Sequence, residues 1–131
     1  MISDGPENLT CAGDLARGLA AVAAEETRIV DALERALDSL VPYLVGPDVR
    51  VGVKSGELLG LVYHQAVLLR EGARSLAVAV CSAPPERPDR VAEAVAAVWR
   101  RWMRMGRVWI NSFLKRAHLL CRTGPVACYA D

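Results

Sequence analysis

The residues best placed to do chemistry are the bases of the C-terminal third. On a helical wheel at about 100° per residue, Arg100, Arg104, Arg107, Asn111, Lys115, His118 and Arg122 fall within a strip ~80° wide. Arg101 lies beside that strip. Val91, Val95, Trp102, Trp109, Phe113 and Leu120 fall on the opposite side. From Ala94 to Ala130 there are seven bases and no acid. Like charges at i, i+3 and i+4 repel, so a merely solvated helix usually intersperses glutamates. A row of cations at this pitch can follow phosphates, and the planar guanidinium suits phosphate oxygens. The expected nucleic-acid-binding set is therefore Arg100, Arg101, Arg104, Arg107, Asn111, Lys115, His118 and Arg122.

The remaining chemistry-bearing residues form no motif. The chain has two histidines, His64 and His118, and neither stands in a Glu-x-x-His, so the di-iron bundle signature is absent. The cysteines Cys11, Cys81, Cys121 and Cys128 contain no Cys-x-x-Cys pair, which leaves a zinc knuckle or redox motif unsupported. Cys121 and Cys128 bracket Gly124-Pro125, where a disulfide could pin the tail. Gly52-Val53-Lys54-Ser55-Gly56 lacks the order of a phosphate-binding loop. No catalytic residue, metal or cofactor is expected, and the reading is of a protein that is not an enzyme.

The elements that would carry the stripe follow from length, punctuation and hydrophobic spacing. The chain has 131 residues, 53% of them hydrophobic and 24% charged, which suits one domain with ample core. Leu15, Leu19, Val22, Ile29, Leu33, Leu37, Leu40 and Leu44 predict a helix over 10–44, ended by Pro42 and Gly46-Pro47. Val49–Val53 reads as a crossing linker, because one five-residue strand has no partner. The segment 56–81 is apolar on almost every side, which reads as a buried central helix; Leu76–Val80 is also strand-like. After the breaker Ser82–Pro88, a third helix is expected over 90–122, with a tail over 123–131. The fold class is all-α: a single elongated domain, 1–131, of three long helices. Thirty-three helical residues span ~50 Å, so the core would be completed by another subunit, identical or not. Trp102, Trp109 and Phe113 are the expected oligomer interface.

Charge is divided along the chain. Residues 1–48 hold nine acids and three bases, and residues 49–131 hold thirteen bases and six acids. The acidic first helix could pair with the basic third helix, which would make the protein a self-associating helical module that binds no nucleic acid. An anionic membrane surface is a weaker candidate. No apolar run reaches the ~20 residues of a membrane span, and the acidic N-terminus does not read as a signal peptide.

In length, helix layout and the Arg100–Arg122 stripe, the sequence resembles the major capsid proteins of filamentous and rod-shaped archaeal viruses. That resemblance implies intertwined helical dimers that wrap double-stranded DNA in a helical filament, and the Ala, Val and Arg richness and the four cysteines suit a thermophilic host. The expected function is then a structural nucleic-acid-coating protein, in the virion if viral and cytoplasmic otherwise.

Overall fold

The computed structural model describes residues 12–25, 27–36, 38–105 and 126–130. In order these form α1 (Ala12–Glu25), α2 (Thr27–Glu34), α3 (Val41–Val45), β1 (Arg50–Leu58), β2 (Val62–Glu71), β3 (Arg74–Ser82), α4 (Pro88–Met105) and β4 (Val126–Ala130). The strands make one antiparallel sheet in the order β1-β2-β3-β4. The chain is mixed α/β, which corrects the all-α expectation.

The correction is sharpest over 56–81. An apolar run without strict alternation fits a buried helix and a strand covered on both faces equally well. Here it is two strands. Val67, Leu69, Leu76, Val78 and Val80 face one layer of helices, where they pack with Val41 of α3 and with Val91, Val95, Val98, Trp99 and Trp102 of α4. Leu68 and Ala77 face the other layer, packing with Ala20 of α1 and Val30 of α2. Ala79 meets Ala12 and Ala16 on that same side. Gly72 turns β2 into β3 at φ +58°, a backbone region that costs a side-chain-bearing residue ~1–2 kcal/mol. The presumed linker at 49–53 is the start of β1, and its missing partner is β2: Arg50 stands opposite Arg70 and Val53 opposite Val67.

The expected first helix is three shorter ones. Pro42 does not end a helix; it sits in the first turn of α3, where its missing N–H is not needed. The long third helix begins at Pro88 and is described to Met105. No helix among the described residues is long and apolar enough to cross a membrane.

Trp102 is 3% exposed. Its ring lies 5.2 Å from that of Trp99, and the Arg74 guanidinium sits 4.5 Å above it. Arg74 also donates to the carbonyls of Trp102 and Met103 near the end of α4, so one cation ties that end to the start of β3. Removing this ring leaves a cavity beneath α4 and strips Arg74 of its platform. Trp102→Ala should therefore lower unfolding free energy by ~3–5 kcal/mol, measured by chemical denaturation at constant m-value; a loss below ~1 kcal/mol would contradict the packing described.

Candidate functional site

The register of β1 and β2 sets two arginines side by side, Arg50 opposite Arg70. Like charges in that position repel. Glu34, the last residue of α2, resolves the conflict. It accepts hydrogen bonds from Arg70 through Oε1 and from Arg50 through Oε2, at 3.0 Å from Nε and 2.5 Å from Nη2. The helix can come this close because β1 carries Gly52 beneath it: a Cβ there would stand 3.1 Å from Leu33 Cβ. Burial alone would push the Glu34 carboxyl up. The hydrogen bonds from Arg70 and Arg50, and then their charges, outweigh burial and hold it below the ordinary carboxylate range.

Behind this ion cluster lies a neutral network on the α3/α4 face. Gln65 is 1% exposed. Its Nε2 donates to Tyr63 Oη at 3.1 Å and Ser55 Oγ at 3.3 Å, and its Oε1 accepts from Ser39 Oγ at 3.5 Å. Ser39 Oγ also accepts from the Val41 amide at 3.2 Å, which anchors the start of α3. A serine becomes a nucleophile when a neighbouring base takes its proton. The partner of Ser39 is an amide oxygen, so this network positions α3 and activates nothing.

Between the two lies a groove of about 330 Å³, bounded by Glu34, Ser39, Pro42, Tyr43, Arg50 and Val51. It is the amphipathic concavity built by the crossing from α2 to α3 over β1. No group of three or more metal-ligating side chains occurs among the described residues.

The residues singled out from the sequence are elsewhere. Arg100 and Arg104 lie on the exposed side of α4, and Arg101 is half-buried; Arg100 donates to the Leu44 carbonyl at 3.3 Å. Trp102 lies in the chain's own core. Arg107, Asn111, Lys115, His118, Arg122, Trp109 and Phe113 lie outside the described residues, as do Cys11 and Cys121. His64 stands opposite Cys81 across β2 and β3, and Cys81 is in no disulfide. The Glu34 cluster and the Gln65 network were missed. Their members are far apart in sequence, and only strand register brings them together.

A family model described as the beta-lactamase enzyme family matches residues 2–102. The chain belongs to that family. No curated protein and no solved structure matches it. Membership overturns the capsid resemblance, the DNA-coating function and the expectation that the protein is not an enzyme. The self-associating helical module finds no support either, since the chain is not a helical bundle. Class A β-lactamases work with a Ser-x-x-Lys nucleophile motif, a Ser-Asp-Asn and a Lys-Thr-Gly. The β-lactamase-family match contains no Ser-x-x-Lys: the only lysines are Lys54 and Lys115, and Val51 stands three before Lys54. Ser112-Phe113-Leu114-Lys115 has the spacing, beyond the matched stretch and outside the described residues. Lys115 is also one rung of the basic stripe on the helical wheel. Ser3-Asp4-Gly5 and Arg122-Thr123-Gly124 each depart from the family triplets at one position.

The ion cluster yields a test of its own. A carboxyl held low in the folded state stabilises above its unfolded pKa, about 4.3 for glutamate, and the contribution is lost as pH falls through the folded value. Glu34→Gln should cost ~1–3 kcal/mol at pH 7 and should flatten the acid limb of the stability–pH curve. Equal stability of variant and wild type at pH 7 would show the cluster to be idle.

Proposed function

We propose that this chain is a hydrolase of the acyl-transfer kind that its family's name describes, acting on the amide of a β-lactam ring. The observation that carries the reading is the family match over most of the chain, residues 2–102. The nucleophile we assign is Ser112 with Lys115 as its base. A serine followed by lysine three positions later is the spacing of the nucleophile motif of class A β-lactamases. A lysine that has given up its proton can then take the serine's, as the serine oxygen attacks the lactam carbonyl. The ring nitrogen leaves with a proton, and water releases the acyl ester.

One observation favours a second reading. No serine within residues 2–102 is followed three positions later by lysine, and Ser39, the serine at the groove, bonds the Gln65 side-chain amide and the Val41 backbone amide and no base among the described residues. On that reading the chain keeps the family's fold without its chemistry. Turnover of a chromogenic cephalosporin by the purified chain separates the two. We expect hydrolysis that falls by at least ~10³-fold in Ser112→Ala, with an acyl adduct seen by intact mass on wild type alone. No turnover and no adduct would leave the second reading standing.

A further inference from the structure

We propose that the groove over β1 is a binding site for a small carboxylate carried on a flat apolar ring. The inference goes beyond the hydrolase reading and makes no use of it. Its first ground is the donor count at Arg50. A guanidinium carries five N–H donors in a fixed fork. Nε and Nη2 of Arg50 are directed at Glu34, while Nη1 bonds no group among the described residues. The second ground is charge. Two guanidiniums, Arg50 and Arg70, share the single carboxylate of Glu34 at hydrogen-bond range. Asp31 approaches Arg50 only to 3.8 Å, longer than a hydrogen bond, and both side chains are more than half exposed, so water weakens that contact. The unspent edge of Arg50 therefore offers paired donors to an oxyanion, the geometry in which arginine holds carboxylates.

The rest of the groove selects what the carboxylate is attached to. Tyr43 is 85% exposed and borders the groove beside Pro42, with Val51 on the strand below. An exposed aromatic side chain in a concavity is available surface for a second ring. A volume of about 330 Å³ lies at the low end of small-molecule sites, which fits a single-ring acid and not a large cofactor. The Ser39 hydroxyl, already committed to Gln65 and to the Val41 amide, holds the wall that carries Pro42 and Tyr43.

The experiment is an amide NMR titration of the full chain with benzoate, phenyl phosphate and benzamide at one ionic strength. Benzoate should shift the amides of Ala36, Tyr43 and Val51, and benzamide should bind at least ~10-fold more weakly. Tyr43→Ala removes an exposed ring without touching the core and should weaken benzoate by about two- to tenfold. Asp31→Asn removes the competing carboxylate and should tighten it by about two- to fivefold. The site is overturned if benzoate leaves those amides unmoved, if benzamide matches benzoate, or if both variants titrate like wild type. Phenyl phosphate binding more tightly than benzoate would overturn the carboxylate assignment.

Discussion

Val67 and Leu68 are neighbours in sequence, point to opposite faces of the sheet, and are both fully buried. Strands with this property need cover on both sides, and the helices are distributed to supply it. α1 brings small residues, Ala12, Ala16 and Ala20, to one face, and α2 adds Val30. α3 and α4 bring valines and tryptophans to the other. The asymmetry is one of side-chain size: small residues of α1 meet Ala77 and Ala79, while the larger side chains of α4 pack with Val78 and Val80. A chain of this size therefore has a sheet as its centre and needs no second subunit to bury Trp99 and Trp102, each 3% exposed.

Covering both faces forces one further feature. α2 packs on one side of the sheet and α3 on the other, so the chain between them must cross an edge. It crosses at β1, where Glu34, Ala36 and Ser39 border the same groove as Arg50 and Val51. Both flanks of the crossing are polar and specific. Glu34 is fixed on one side by two arginines, and Ser39 on the other by Gln65. A buried amide such as Gln65 is costly unless its hydrogen bonds are made, so the crossing can sit in only one register along β1.

What the sequence could convey was uneven. The helical wheel sets Arg100 and Arg104 opposite Val91, Val95 and Trp102, and burial in α4 divides the same residues in the same way. A helix with one apolar face leaves a periodic signature. Strands buried on both faces leave none, and 56–81 imitated a central helix for that reason. Gly56, Gly60 and Gly72, each costing ~1 kcal/mol in a helix relative to alanine, and Val62, Val67, Val78 and Val80, whose β-branching favours strands, argue against a helix there. The site was harder still. Glu34, Arg50 and Arg70 span 36 residues, and nothing local to any of them announces the other two.

The crossing also bears on the open edge of the sheet. β1 is an edge of the sheet, and an open edge offers unpaired backbone groups to any passing strand. Here Glu34, Ala36 and Ser39 lie near the start of the strand, while Lys54 places a charge in its middle. The two most exposed leucines lie beyond this stretch, at the hairpin tip, where Leu59 is 92% and Leu61 63% exposed. A turn cannot extend a ladder as an edge strand can, so apolar residues there carry less risk of sheet-to-sheet association than the same residues would at Lys54 or Gly56. The groove is thus a by-product of edge protection: the same passage that shields β1 stands off far enough from it to leave a concavity floored by Val51 and rimmed by charge.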